Sequence, residues 1–305
     1  MILNVRPTLR KHLNTAIGFV LAVGMLPLAS AQAQTQNGKI SVASFNTWGV
    51  PFAVWDTWRY AAAMKALEKL SPDLILLEEV FSAKGNHTFR SSQYPYEVVG
   101  PRWFPRLVGS GVRILSKYPI ERKATLVYRS CEKDDCLSRK GAVMAVVDLP
   151  SGQKLNVIAT HLNARGDDPI REDQIDQLLA FISYYAEPNA PILLGGDFNF
   201  NPSAGAYSYL LQKMKSLNPD PLTDLWVQTH GTDDPGYTND SINDPYAREY
   251  NERTNFPLTQ ERIDYQFTTK IGNSPTLVPK SSHLFFNEAP YYSDHYALWG
   301  DYLLQ

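Results

Sequence analysis

The sequence predicts a layered fold of the α/β (α+β) class, and three observations lead to this prediction. Short apolar segments rich in β-branched residues recur along the chain, and amphipathic helical segments lie between them. No low-complexity linker or abrupt change of composition divides the residues after position 33. The chain has 305 residues, of which 44% are hydrophobic, so it can bury a substantial core. We therefore expect one domain over 34–305.

The first 33 residues have the composition of a secretory signal peptide. Three basic residues precede an apolar run over 15–28, and small residues follow at Ala29, Ser30, Ala31 and Ala33. We expect cleavage after Ala31 or Ala33 and secretion to the periplasm or the medium; an uncleaved anchor is the alternative. Cleavage would leave 26 basic and 31 acidic side chains, a net charge of −5. That balance provides no general attraction to nucleic acid or to anionic membranes.

The strands are predicted from β-branched content, period-two alternation and bounding Gly, Pro or Asn residues. In chain order they cover 40–45, 74–77, 111–116, 142–148, 155–160, 192–195, 263–268 and 297–302. The first helix covers 58–70 and stops before Ser71 and Pro72. The second covers 171–185, where apolar residues share one face and acidic residues lie near the start.

Two further segments have weaker patterns. A third helix is predicted over 207–214. The stretch over 233–257 is rich in Pro and Asn, and we expect it to be a long irregular loop with a function. Cys131 and Cys136 lie in a charged, loop-like segment, where an oxidising compartment favours one disulfide over two free thiols. A zinc site has no further ligands nearby.

The chemistry is suggested by polar residues that follow apolar strands. Each has an ordinary alternative, such as a helix cap, an Asx turn or a buried histidine with satisfied hydrogen bonds. Strand ends gathered at one sheet edge would nevertheless crowd several carboxylates together, and a bound cation would offset their repulsion. Oxygen ligands without thiolates favour Mg²⁺ or Mn²⁺ over zinc. The residues concerned are Asn46, Glu78, Glu79, His161, Asp197, Asn199, Asp264, Asp294 and His295.

These motifs resemble, in order, the pattern of the endonuclease/exonuclease/phosphatase superfamily, over nearly the whole chain after position 40. The resemblance implies a four-layer α/β/β/α sandwich of two packed mixed β-sheets flanked by helices. Within the superfamily the chain looks most like a secreted neutral sphingomyelinase. The segments that carry the resemblance are Phe45-Asn46-Thr47-Trp48, Leu77-Glu78-Glu79-Val80, 111–119, Thr160-His161-Leu162-Asn163, Gly196-Asp197-Phe198-Asn199, Arg262-Ile263-Asp264-Tyr265 and Ser293-Asp294-His295.

The resemblance also implies roles for these residues in hydrolysis of a phosphodiester. Glu79 and Asn46 would hold Mg²⁺, for which Mn²⁺ or Co²⁺ could substitute, and Asp294 would lie beside it. His295 is the candidate general base, since imidazole can accept a proton near neutral pH, and Asp264 would orient it. Asp197 and Asn199 would position the attacking water and contact the phosphate, and with His295 they could bind a second metal. His161 would donate to a phosphoryl oxygen.

The implied reaction converts sphingomyelin to ceramide and phosphocholine at a membrane surface, by a monomer that needs no protein partner. Aromatic residues in expected loops would suit a lipid–water interface, although they could equally cover the sandwich. The segment over 276–292 is too short for the long aromatic hairpin of bacterial sphingomyelinases. Alternatives are a secreted nuclease, another phospholipid phosphoesterase and a catalytically silent binding protein. The aromatic residues are Phe52, Trp55, Trp58, Trp103, Phe104, Phe285 and Phe286.

Overall fold

Two six-stranded β-sheets face each other, and helices cover the outer surface of each. The computed structural model describes residues 38–50, 58–102, 108–217 and 220–305. The predicted signal peptide over 1–33 and its cleavage sites lie outside the described residues, as do Phe52, Trp55, Trp103 and Phe104. None of the described helices is both long enough and apolar enough to cross a membrane.

The described chain contains fourteen strands and six α-helices. The strands are β1 (Lys39–Asn46), β2 (Leu74–Glu78), β3 (Tyr96–Val99), β4 (Arg113–Ser116), β5 (Ile120–Val127), β6 (Gly141–Asp148), β7 (Lys154–His161), β8 (Ile192–Asp197), β9 (Thr223–Asp224), β10 (Asn239–Asp240), β11 (Gln260–Glu261), β12 (Asp264–Thr269), β13 (Leu277–Phe285) and β14 (Ala297–Leu304). The helices are α1 (Trp58–Leu70), α2 (Ala83–Thr88), α3 (Asp168–Tyr185), α4 (Gly205–Leu217), α5 (Leu225–His230) and α6 (Pro245–Thr254).

Both large sheets are mixed. The first has the order β13-β14-β1-β2-β4-β3, and the second has the order β5-β6-β7-β8-β12-β9. Each contains one parallel pair at its centre, β1 with β2 and β7 with β8, whereas the other pairs are antiparallel. Strands β10 and β11 form a separate two-stranded ribbon.

Three hydrophobic cores define the layers. Side chains such as Val42 and Leu76 face the opposing sheet and pack with residues of the second sheet such as Val157. Their neighbours in sequence, such as Leu77, point the other way and pack with α1. The outer face of the second sheet packs in the same manner against α3 and α4, where Leu178 is buried. Period-two alternation therefore produces the four layers that the resemblance implied, and the predicted fold class is confirmed.

The predicted elements are present, with one correction. All eight predicted strands occur within two residues of their expected bounds at most ends, and α1 has the predicted bounds. The stretch over 233–257 is not irregular throughout, because α6 lies within it. Asp244 caps this helix by accepting hydrogen bonds from the backbone of Tyr246 and Ala247, and Pro245 suits the first helical position. Asn255, in the left-handed conformation, ends it.

The two cysteines form the expected disulfide. Cys131 and Cys136 are joined by an S–S bond, and Cys136 lies within a short 3-10 turn over 133–137. In this turn the carboxylate of Asp135 accepts backbone hydrogen bonds from Ala164 and Arg165, which follow β7. These bonds attach the disulfide loop to the segment that follows β7.

Candidate active site

The alternation of side chains along the strands places five polar groups between the two sheets at one edge. Within the first sheet, Asn46 at the end of β1 is paired with Glu78 at the end of β2. Within the second sheet, Asp197 at the end of β8 is paired with both His161 and Asp264. All five are buried; Asn46, Glu78, His161 and Asp197 end the inward-facing side of an apolar strand, and Asp264 begins β12 on its inward-facing side.

A hydrogen bond links the two sheets across this edge. The Asn46 Nδ2 donates to Asp197 Oδ2 over 2.9 Å, although the two residues are 151 positions apart in sequence. The Asn46 Oδ1 accepts a bond from the backbone N–H of Trp48 at 3.0 Å. This bond fixes the orientation of the amide, with its NH₂ directed at the carboxylate.

Glu79 follows β2 directly and leaves the strand in a left-handed conformation, with φ of 58°. The main chain approaches it closely on one side, because a Cβ at Gly49 would lie 2.0 Å from the Glu79 carbonyl oxygen. On the other side, Val80 N–H donates to the carbonyl of Gly111. The Glu79 Oε1 lies 4.0 Å from His161 Nε2, while its Oε2 is buried without a hydrogen-bond partner.

His295 and Asp264 form a buried pair. The His295 Nδ1 donates to Asp264 Oδ2 over 2.8 Å, an arrangement that directs the Nε2 lone pair away from the carboxylate. Ser293 supports this pair, because its hydroxyl accepts from the His295 backbone N–H and donates to the Asn46 carbonyl. Thr238 accepts from the backbone N–H of Asp264.

The pKa values of the two histidines move in opposite directions. Burial lowers the pKa of His295, but the carboxylates of Asp264, Asp294 and Asp197 outweigh it and raise that pKa well above its ordinary value. Burial, assisted by nearby cations, lowers the pKa of His161 well below its ordinary value. His161 is therefore neutral at physiological pH, and neither of its ring nitrogens has a hydrogen-bond partner among the described residues.

The acids at this edge have raised pKa values, so they ionise less readily than exposed acids do. Burial, followed by neighbouring acids, raises the pKa of Asp197 to about 6. Burial also raises the pKa of Asp294 to about 6 and that of Glu79 above its ordinary value. Burial and the charges of Asp264 and Asp197 raise the pKa of Glu78 well above its normal range. A concentration of buried acids of this kind is a binding site for positive charge.

The donor set fits a hard divalent cation. Buried carboxylate oxygens of Glu78, Glu79 and Asp264 have no hydrogen-bond partner in the described structure. Ligand atoms of Asp197, Asp264 and His295 all lie within 4.8 Å of one another. Carboxylate, amide and imidazole donors without thiolates suit Mg²⁺ or Mn²⁺. The metal set predicted from sequence, Glu79, Asn46 and Asp294, borders this cluster and remains a prediction.

Asn199 and Asp294 form hydrogen bonds within the protein that the sequence did not predict. The backbone N–H of Asn199 donates to Asp197 Oδ1, and its side-chain amide donates to the Leu162 carbonyl over 3.1 Å. Asn199 thus holds Asp197 in place, whereas its predicted contact with water or phosphate remains a prediction. Asp294 accepts a hydrogen bond from the Ser293 hydroxyl, and its charge acts on Glu79 and His295.

Three contributors were missed as site residues. Glu78 was among the candidate polar residues but received no role beside Glu79, although strand period places Glu78 on the inward-facing side of β2. Lys140, which is 5% exposed, is bonded to Asp135 and to the Leu162 carbonyl, and its charge acts on Glu79, Asp197 and His161. Asp244, the cap of α6, is buried with one unpartnered oxygen and has its pKa raised to about 6, mainly by burial.

Stabilisation by Mg²⁺ should depend on pH. Because the pKa values of Asp197 and Asp294 are raised from 3.8 to about 6, the folded protein retains protons that the unfolded chain loses. By linkage, these groups make the metal-free protein less stable as pH rises through that window. Mg²⁺ binds the ionised carboxylates, so it should raise Tm more at about pH 7.5 than at about pH 5. Thermal unfolding with Mg²⁺ and with chelator measures this; equal shifts at both pH values would contradict it.

The chain resembles curated proteins over most of its length. It is 26% identical to "Phospholipase C" of Staphylococcus aureus over 335 aligned positions, which cover 95% of this chain and 96% of that protein. It is 28% identical to "Sphingomyelin phosphodiesterase 2" of Homo sapiens over 177 positions, which cover 54% of this chain and 42% of that protein.

A solved structure and a family model agree with this likeness. The crystal structure of a beta toxin variant from Staphylococcus aureus with bound magnesium ions is 21% identical and superposes with a TM-score of 0.69, over 86% of this chain and 99% of that one. That likeness establishes the fold. The model of the Endonuclease/Exonuclease/phosphatase family matches residues 43–295, which include the whole convergent edge described above. The chain belongs to the endonuclease/exonuclease/phosphatase family.

Proposed function

We propose that the protein is a Mg²⁺-dependent phosphodiesterase that hydrolyses sphingomyelin to ceramide and phosphocholine. The observation that carries the proposal is the convergence of buried, partly unpartnered carboxylates with the His295–Asp264 pair at one sheet edge. Phosphodiester hydrolysis requires charge stabilisation at phosphorus and a base for water, and this edge offers groups suited to both.

Each residue then has a defined task. The Nε2 of His295 accepts a proton from the attacking water, while Asp264 holds the ring and stabilises its charged form. The pKa of His295 falls when the surrounding carboxylates are neutralised, which makes the ring available as a base near neutral pH. His161, neutral and without a partner, donates one N–H to a phosphoryl oxygen. Glu79, Asn46 and Asp294 would hold Mg²⁺, which would supply Lewis-acid stabilisation of the phosphate charge.

The bond changes are those of a phospholipase C. The oxygen of water forms a bond to phosphorus, and the bond between phosphorus and the ceramide oxygen breaks. The departing alkoxide takes up one proton, which balances the one that water gives to His295, and leaves as ceramide, while phosphocholine retains the phosphorus. The substrate assignment is supported by the names of the relatives, which include a phospholipase C and a sphingomyelin phosphodiesterase.

The exposed apolar residues that would suit a lipid surface are only in part those expected from the sequence. Phe285 and Phe286 are half-buried and pack against the core beneath the first sheet. Trp58, at the start of α1, is 55% exposed as the lipid interpretation expects. Ile242, Phe256 and Leu258, which flank α6, are further exposed apolar side chains, each about 40% exposed. We propose that contact with a membrane involves this region.

The aromatic residues next to Asn46 already surround a cation of the protein itself. The guanidinium of Arg59 lies 5.1 Å from the ring centre of Trp48 and 5.4 Å from that of Tyr246. Its charge would repel a quaternary ammonium group at that position. We therefore do not place the choline headgroup there, and the lipid surface carries the substrate proposal instead.

A substrate panel tests the proposal. Purified protein with Mg²⁺ is incubated with sphingomyelin vesicles, phosphatidylcholine vesicles and plasmid DNA, and phosphocholine, ceramide and cut DNA are measured. We expect phosphocholine and ceramide from sphingomyelin, loss of activity with chelator and recovery with added Mg²⁺. Cleavage of DNA without release of phosphocholine would replace the proposal by the nuclease alternative. Absence of all three activities would favour a silent binding protein.

Secretion belongs to the same proposal. It rests on the composition of residues 1–33, which precede the described part of the chain. N-terminal sequencing of the exported protein would identify the cleavage site.

A further inference from the structure

A cavity of about 400 Å³ lies beside the active site, on the side of the first sheet that carries α2. Its walls come from the residues after β2, from α2, from the residues that follow β3 and from those that lead into β4. Four of the lining side chains are basic or imidazole groups: His87, Arg90, Arg102 and Arg113. No acidic side chain is among the described residues that line it.

Arg113 is the buried floor of this cavity. It is 1% exposed, and its two terminal nitrogens donate to the carbonyls of Asn86 and Phe89 and to the Asn86 side chain. Its Nε is buried and has no hydrogen-bond partner. A buried N–H donor without an acceptor is costly, and a ligand oxygen in the cavity would relieve that cost.

The positive charge around Arg113 is incompletely neutralised. Glu97 is the acid that faces it, with carboxylate oxygens 3.7 Å from Arg113 Nη1 and 3.7 Å from Arg90 Nε. Arg102 is exposed, and its guanidinium has no hydrogen bond or ion pair among the described residues. Burial lowers the pKa of Arg113, and the charges of Arg90 and Arg102 add to that effect. One carboxylate, that of Glu97, therefore lies near two of the three guanidinium groups, and no acid among the described residues pairs with the third.

We propose that this cavity binds a phosphate group at a site separate from the catalytic centre. Guanidinium groups present paired N–H donors that match the oxygens of phosphate. Gly111 forms the wall towards the catalytic centre, because a Cβ there would lie 3.1 Å from Glu79 Cα and 2.6 Å from the Phe81 ring. A phosphate in the cavity is thus a neighbour of the metal site without sharing its ligands. The phosphate is either a soluble anion or the phosphomonoester headgroup of a membrane lipid.

The shape of the basic cluster favours a single phosphate over a nucleic acid. Nucleic-acid binding usually requires cationic side chains spread along a groove, so that several phosphates are contacted. Here the guanidinium groups converge on one cavity, and the buried donor at its floor can meet one oxygen at a time.

The test compares the wild-type protein with an Arg90→Gln/Arg102→Gln double variant. Both residues are exposed, so the variant should retain the wild-type Tm, whereas a substitution of Arg113 would risk the fold. The matched control is Arg122→Gln, which removes an exposed arginine at the end of β5 farthest from the site. Calorimetric titration of inorganic phosphate, with Mg²⁺ present, should show binding to the wild-type protein. The affinity for phosphate should fall roughly tenfold or more in the double variant and stay unchanged in the control.

Vesicle flotation separates the two sources of phosphate. Phosphatidylcholine vesicles that contain phosphatidic acid present a phosphomonoester, and vesicles with phosphatidylglycerol present a phosphodiester anion. If the ligand is a lipid headgroup, phosphatidic acid alone should recruit the protein, and the double variant should lose this recruitment. If it is a soluble anion, phosphate binds in the calorimeter and neither vesicle recruits the protein through these arginines.

Three results would overturn the proposal. Absence of binding to both phosphate and phosphatidic acid would do so. Binding that the double variant leaves unchanged would also do so, since it would locate phosphate elsewhere. The third result is that the protein binds a DNA oligonucleotide but not phosphate, and that the binding of DNA depends on Arg90 and Arg102. This result would identify the cluster as part of a nucleic-acid surface.

Discussion

Replacing His295 with alanine is expected to lower kcat by about 10²- to 10⁴-fold and to leave the fold intact. In the proposed mechanism the Nε2 of His295 is the proton acceptor, because its Nδ1 is committed to Asp264 over 2.8 Å. His161 cannot replace it, since its lowered pKa makes it a poor base. Steady-state kinetics on sphingomyelin, together with Tm, measures the effect.

The matched control is His283→Ala. His283 is exposed on β13 and stacks on Trp299, so its loss should leave kcat near the wild-type value. Asp264→Asn should reduce kcat less than His295→Ala, and the double variant should be no slower than His295→Ala alone, because the two residues act as one unit. Near-normal turnover in His295→Ala would remove the residue from the mechanism.

Replacing Glu79 with glutamine is expected to lower activity by about 100-fold or more and to weaken Mg²⁺ binding. The substitution preserves the shape of the side chain but removes one of the charges that attract the cation. The metal-free variant should unfold at the wild-type Tm or above it. The reason is that burial raises the pKa of Glu79, so the ionised side chain contributes no stability without a cation.

Glu121→Gln is the control for this prediction. Glu121 is an exposed acid of β5 that pairs with Lys154 at the surface, so its loss should change neither Mg²⁺ dependence nor kcat. An unchanged Mg²⁺ requirement in Glu79→Gln would mean that the cation is held by other acids, such as the Asp197–Asp264 cluster.

Much of the site was predictable because the alternation of side chains along the strands and the residue types suited to metal or phosphate single out the same positions. Asn46, His161 and Asp197 each end a strand and Asp264 begins one, and the alternation of side chains by itself directs them between the sheets. What the sequence does not contain is which strands are neighbours. The bond from Asn46 to Asp197 joins two sheets and depends on their packing.

The missed features have only weak or ambiguous local signals in the sequence. Glu78 and Glu79 are adjacent acids, and only the facing direction of β2 distinguishes the buried one from the one in the left-handed turn. Lys140 looks like an ordinary surface lysine until the disulfide loop brings Asp135 to its ammonium group. Helix α6 is polar along most of its length, so its cap at Asp244 is a better indicator than its periodicity.

The arginine-lined cavity was not predictable for a related reason. Arg102 and Arg113 were scattered positive charges in the sequence, eleven positions apart. Pairing of β4 with β2 and β3 brings Arg113 to α2, where it reaches the carbonyls that end that helix. Only the assembled sheet shows that the charges converge on one space.

The central claim is that distant carboxylates converge to hold a divalent cation beside His295. A titration of Mn²⁺ into metal-free protein, with free Mn²⁺ followed by its electron paramagnetic resonance signal, tests this most directly. We predict stoichiometric binding near neutral pH that Glu79→Gln weakens by about tenfold or more and Glu121→Gln does not affect. Equal Mn²⁺ affinity in the wild type and in Glu79→Gln would assign the cation to other acids of the cluster, such as Asp197 and Asp264. No binding of Mn²⁺ at all would contradict the claim.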